Sequence, residues 1–168
     1  MDTGLIFSTL SETWNNDMPP IAFEVDRSGT AMALTKFPQP GCYMKLSREP
    51  SDSITFEVWG YRSKTHDHVT LEKIIGRLFY DSKYIPTRLH KKGNVTLAGI
   101  QRISRDFTTS RSYSKKRWSA VIVPSPDGGP YGLIVLFSIY VGVRKNGLES
   151  VVEHPIHTKL MESFDLSS

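Results

Sequence analysis

Cysteine is nearly absent from the 168-residue chain. Cys42 stands alone, so no internal disulfide can form. A reducing compartment is therefore the expectation. Its setting, Gly41-Cys42-Tyr43-Met44-Lys45-Leu46, reads as the start of a strand, which makes Cys42 a buried structural thiol rather than a nucleophile. Long hydrophobic runs are absent too. The longest, Tyr131 to Val143, is interrupted by Gly132, Ser138 and Gly142. It reads as a buried strand, well below the roughly 20 apolar residues of a membrane-spanning helix. Met1 to Leu10 carries no Lys or Arg and no long apolar core, so no signal peptide is expected there. The phosphate-cradling and nucleophile motifs Walker A, GxGxxG, GxSxG and HExxH do not occur. Asp127-Gly128-Gly129 has the glycines of a phosphate loop but no helix after it, and reads as a turn.

Histidine is sparse, and four of the five fall in two pairs, His66/His68 and His154/His157. Two histidines at i, i+2 share a face only on a strand, where Asp67 between them would point the other way, and neither pair has a thiol close in sequence. A hydrolase or lyase would have to be built from these histidines, or from one of them with Cys42 as a nucleophile–base couple. The reading adopted is of a protein without catalytic residues, metal or cofactor.

What the chain does have is positive charge in one place. Residues 1–60 hold four Lys or Arg against eight Asp or Glu, and residues 119–168 hold three against five. Residues 61–118 hold fourteen against four. The formal charge of +4 and pI of 9.2 thus conceal a middle third of +10. Its densest part comprises Arg88, Lys91, Lys92, Arg102, Arg105, Arg111, Lys115, Lys116 and Arg117, against the single acid Asp106. A field of one sign on one surface attracts polyanions: nucleic-acid phosphates or anionic lipid headgroups. Phe107, Tyr113 and Trp118, set into this stretch, either stack on bases or anchor a loop to the core, and core anchoring is the commoner use.

The hydrophobic pattern predicts an α+β protein: a twisted, mainly antiparallel sheet packed against one long and one short helix, with an extended N-terminal arm. The arm is residues 1–20, closed by Pro19-Pro20; residues 21–168 form one domain. Residues 21–26 and 31–37 read as a hairpin around Arg27-Ser28-Gly29-Thr30. Ile54, Phe56 and Val58 alternate with polar residues as a strand. Val69, Leu71, Ile74, Ile75 and Leu78 fall at helical spacing over about 69–81, with Asp67 as the cap. Residues 87–94 read as a basic loop, Val95 to Ile103 as a strand interrupted by Gly99, and 105–117 as a Ser/Thr/Arg/Lys-rich loop. Strands at 118–123 and 132–143 follow, separated by the turn cluster 124–130; Lys145-Asn146-Gly147 is a further turn, and residues 156–164 are a short closing helix.

The stretch from Phe56 through Trp59-Gly60-Tyr61-Arg62-Ser63 and on to Leu78-Phe79-Tyr80 resembles the central segment of rhabdovirus matrix proteins. In that family a strand leads through a short polar linker into an amphipathic helix. A basic loop and an aliphatic strand follow, matched by Arg88–Lys92 and Val95–Ile103, and then an aromatic strand, a turn and a long apolar strand, matched by Trp118–Val123 and Leu133–Val143. The resemblance covers roughly residues 54–143. The arm differs from the animal-virus pattern in being short and acidic, and Pro19-Pro20 is followed by Ile-Ala rather than by the rest of a Pro-Pro-x-Tyr motif. In both respects the chain is more like the small matrix proteins of plant-infecting cytoplasmic rhabdoviruses.

The resemblance implies a structural protein of the virion, lying between nucleocapsid and envelope and at the cytoplasmic face of host membranes. It implies that the protein binds and condenses the nucleocapsid (nucleoprotein–RNA), associates peripherally with anionic membrane and self-associates, with the viral glycoprotein as a further partner. The nine basic residues from Arg88 to Arg117 suit the first two tasks. Leu5, Ile6, Phe7 and Leu10 are the candidates for docking a neighbouring copy, with folding back onto their own domain as the other use of the same residues. A single-stranded RNA-binding module using the same basic residues is the alternative.

Overall fold

A computed structural model describes residues 5–8, 22–35, 41–48, 53–80, 85–111, 114–141, 151 and 154–167. Leu10, Pro19-Pro20, Tyr113 and the turn at Lys145-Asn146-Gly147 lie outside the described residues. The elements in chain order are β1 (Leu5–Ser8), β2 (Ala22–Asp26), β3 (Ala33–Leu34), β4 (Cys42–Arg48), β5 (Ile54–Arg62), α1 (His68–Leu78), β6 (Ile85–Leu97), β7 (Ile100–Arg111), β8 (Ser114–Pro124), β9 (Tyr131–Tyr140), α2 (Pro155–Ser163) and β10 (Asp165–Ser167). The fold is α+β, as the hydrophobic pattern predicts.

Seven strands form one antiparallel sheet in the order β3-β4-β5-β9-β8-β7-β6. The apolar run 132–139 is β9, the middle strand, buried along its whole length because both faces of the sheet are covered there. On one face, Leu71 and Ile75 of α1 pack on Phe107, Trp118, Ala120, Ile122, Ile134 and Leu136. On the other, Leu160 and Met161 of α2, together with Phe164, Phe23 and Val25, pack on Phe56, Val121, Val135 and Phe137. Phe23 and Val25 belong to a second, three-stranded sheet, β1-β2-β10.

Asp67 caps α1 as expected, its carboxylate accepting from the Thr70 N–H and hydroxyl, both at 2.9 Å. Cys42 is buried, and burial raises its thiol pKa far above the ordinary range, so it is held as an inert thiol.

Three sequence expectations need correction. Arg27 to Thr30 does turn, closed by the Thr30 N–H to Arg27 carbonyl bond at 3.1 Å, but β2 and β3 do not pair. β2 lies between β1 and β10, and β3 lies on β4. The expected basic loop at 87–94 is part of strand β6. Within the expected loop at 105–117, residues 105–111 are the end of β7 and residues 114–117 the start of β8, paired from Ser104↔Val121 to Arg111↔Ser114. Few outright apolar residues mark these strands, so hydrophobic periodicity is faint. Ile103, Arg105, Phe107 and Thr109 nonetheless share the α1 face, while Ser104, Asp106, Thr108 and Ser110 share the other. Thr favours a pleated surface, and long basic chains lay their stems on it with their heads in water. The interruption at Gly99 is a hairpin turn: Ala98 (φ 52°) and Gly99 (φ 82°) both take the left-handed conformation that a two-residue turn requires.

Candidate polyanion-binding surface

Side chains alternate between faces along a strand, so the cations of β6, β7 and β8 divide between the two sides of the sheet. On the α2 face the register Arg48↔Ile54↔Ile139↔Arg117↔Thr108↔Arg88 runs unbroken across six strands. At about 4.8 Å per strand, the Cα atoms of Arg48 and Arg117 lie about 14 Å apart and those of Arg117 and Arg88 about 10 Å. Lys115, paired with Ser110, continues the same face one step toward the sheet end. The carboxylate of Asp106 sits one step inward, opposite Ser119. Burial raises its pKa, opposed by the charge of Arg117. Arg48 was missed by sequence reading because it lies outside the dense basic stretch; only the register brings it into the row.

Two histidines register the field of this row. His90 bonds the Thr108 hydroxyl through Nε2 at 2.7 Å. Its pKa is lowered, first by burial and then by Arg117, Arg88 and Arg105. His154 packs against Phe137 at 6.1 Å between ring centroids, and its pKa is lowered by burial and then by Arg48.

The α1 face carries Lys116, whose ammonium lies 5.8 Å from the Trp118 ring centroid, Lys92, paired with Arg105, and Arg111 at the hairpin end. Arg105 is committed within the fold: its guanidinium meets the Glu72 carboxylate of α1 at 2.9 Å. Arg102 lies on the α2 face beside Val95, six residues along β7 from Thr108, or about 20 Å. Lys91 sits in the irregularity between Leu89 and Lys92 on the edge strand β6. The bulge and lysines there keep a bare edge from pairing with another sheet.

Of the aromatic residues of the stretch, Phe107 and Trp118 are core. Phe107 and Trp118 are buried and stacked with centroids 5.7 Å apart, and Phe79 meets both edge-on. The Trp118 indole N–H donates to the Thr109 hydroxyl at 2.8 Å.

Of the histidine pairs, His66 and His154 each bond a backbone group. His66 bridges the Tyr61 hydroxyl (2.8 Å) and the Gly129 carbonyl (3.2 Å), pinning the 124–130 turn to β5. His68 opens α1. His154 caps α2, its Nδ1 accepting from the Ile156 N–H at 3.1 Å, and His157 is buried edge-on to Phe137. Among the described residues no three His, Cys, Asp or Glu side chains come together as a metal site. No described helix is long and apolar enough to cross a membrane.

Leu5, Ile6 and Phe7 lie in β1, which pairs with β2 of the same chain from Leu5↔Asp26 to Ser8↔Phe23.

No protein-family model matches the chain, and no curated protein matches it. Its fold is similar to that of cyanobacterial PsbP (CyanoP) from Synechocystis sp. PCC 6803. The TM-score is 0.51 at 11% identity, covering 99% of this chain and 95% of that one. It is also similar to a protein of Bacteroides thetaiotaomicron VPI-5482, with a TM-score of 0.50 at 7% identity, covering 87% of this chain. The chain spans 45% of the length of that protein. At these identities the likeness is one of fold alone.

Proposed function

We propose that the protein is a structural, matrix-type protein that bridges two polyanions, a nucleocapsid and an anionic membrane, and self-associates on them, without catalytic chemistry. The observation that carries this reading is the division of one dense basic stretch between both faces of a single sheet end. Arg88, Arg117 and Lys115, joined by Arg48, lie on one face, and Lys92, Arg111 and Lys116 lie on the other. A protein that only concentrates on one polyanion needs one basic face; a bridge needs two. Each Lys or Arg near an anionic leaflet contributes about 1 kcal/mol, so three or four on one face hold the protein there reversibly. The alternative, a monomeric single-stranded RNA module, is the weaker reading, because Phe107 and Trp118 are buried and unavailable for stacking.

The test is binding of a single-stranded RNA oligonucleotide and of phosphatidylserine vesicles by two double variants, Arg88→Glu/Arg117→Glu on one face and Lys92→Glu/Lys116→Glu on the other. Each is expected to weaken one ligand more than the other. With about 4–6 phosphates engaged, the log–log salt slope for RNA is expected near −3 to −4. Unchanged binding of both ligands by both variants would remove the surface from the proposal.

A further inference from the structure

A second surface lies away from these cations, on the outer side of α1. A cleft of about 930 Å³ runs between the helix and the chain leaving β5. Its helical wall is Val69, Lys73, Gly76 and Arg77, continued by Tyr80 in the turn after α1, and Arg62 lines it from the end of β5. Two of these residues are large and apolar yet in water: Val69 is 56% and Tyr80 85% exposed. Among the described residues nothing lies within 4 Å of a Cβ placed at Gly76, so a partner's backbone can approach the helix closely there. Among the described residues three cations line the cleft, and its one acid, Asp67, is already held by Thr70.

From this combination we infer that the α1 cleft is a docking groove for an acidic peptide segment of a partner protein, one carrying apolar anchor side chains. Charge complementarity selects the sign: Lys73 and Arg77 stand one turn apart on the helix, and Arg62, whose guanidinium lies 5.6 Å from the Tyr131 ring centroid, adds a third cation to the lining. The exposed apolar pair selects a peptide over a bare polyanion, because phosphates offer nothing to bury against Val69 and Tyr80. Length selects an extended ligand: the helix from Val69 to Leu78 alone is about 14 Å long, with Tyr80 in the turn just beyond its end, the reach of about four or five extended residues. The inference is independent of the polyanion surface, since none of its residues belongs to that surface.

The probe is a fluorescein-labelled peptide of about eight residues, longer than the groove at about 3.3 Å per residue, alternating Glu or Asp with Leu and Trp. A control peptide has Gln and Asn in place of the acids. Fluorescence anisotropy against the full chain is expected to show tighter binding of the acidic peptide. Lys73→Glu/Arg77→Glu is expected to weaken it by about tenfold or more. Gly76→Gln, which places a helix-favouring side chain on the groove wall, is expected to weaken both peptides. Arg88→Glu/Arg117→Glu is expected to leave peptide binding unchanged. Equal binding of the acidic and neutral peptides overturns the proposal, as does wild-type affinity in both groove variants. Loss of RNA or vesicle binding in Lys73→Glu/Arg77→Glu, without loss of peptide binding, assigns the groove to the polyanion surface instead.

Discussion

Gly132 shows how tightly one position can be fixed. A Cβ there would meet the Tyr61 ring at 2.5 Å, and the Tyr61 hydroxyl is tied to His66, so the ring cannot swing aside freely. Gly132→Ala is expected to cost about 1–3 kcal/mol, the range for overpacking a close-packed site, read by chemical denaturation. Asp106 gives a pH signature. Burial raises its carboxyl pKa against the pull of Arg117, so the folded state holds that proton more tightly than the unfolded chain does. The stability linked to this proton is present below the unfolded value, about 3.9, and is lost as pH rises through the raised folded value. Normalised to wild type in acid, Asp106→Asn should gain in melting temperature as pH rises through that window and keep the gain at neutral pH. A melting-temperature difference between the two that is flat with pH would show that the carboxylate bears no such burden.

At the scale of elements, β6, β7 and β8 place the cations and the reporters together. Phosphates bound along Arg48, Arg117 and Arg88 would offset the positive field that lowers the pKa values of His90 and His154. Saturating RNA or anionic vesicles on the α2 face should therefore raise both values, followed by NMR titration of the imidazole protons. Because the bound state then favours the protonated histidines, affinity should increase as pH falls through the histidine range. Histidine titrations that do not move under saturating RNA and vesicles would place both ligands elsewhere.

At the scale of the molecule, β1 lies on β2 of its own chain. The same register is open to β1 of a second copy, since residues 9–21 connect the two strands and leave length for an exchange. Leu5, Ile6, Phe7 and Leu10 are apolar enough to contribute several kcal/mol at about 25 cal/mol per Å² buried. Ordering the arm costs about 1–2 kcal/mol per residue. Self-association through the arm should therefore be weak and concentration-dependent, as a lattice that must assemble and come apart requires. Sedimentation of the full chain beside one beginning at Ile21 is expected to show oligomers only for the former, with the core of both intact. Equal assembly by the shortened chain would assign self-association to another surface.

The amino-acid sequence by itself determined the α+β class, the helix capped by Asp67, the closing helix and the apolar strand read at 132–143 and found at Tyr131–Tyr140, because each is local: a cap, a helical period or a mostly apolar run. It also determined that residues 61–118 carry the positive charge. Only the tertiary structure decided that residues 87–94, 105–111 and 114–117 are strands, because their Thr, Ser and Arg residues become half-buried only when neighbouring strands supply the other side of the ladder. Pairing β2 with β1 and β10, rather than with β3, was likewise a long-range choice, made where Phe23 and Val25 find their core on the α2 face. The row Arg48–Arg117–Arg88 belongs to no stretch of sequence at all. It exists because backbone hydrogen bonds across six strands hold one register, and a slip of one residue in any of them would send an arginine to the opposite face.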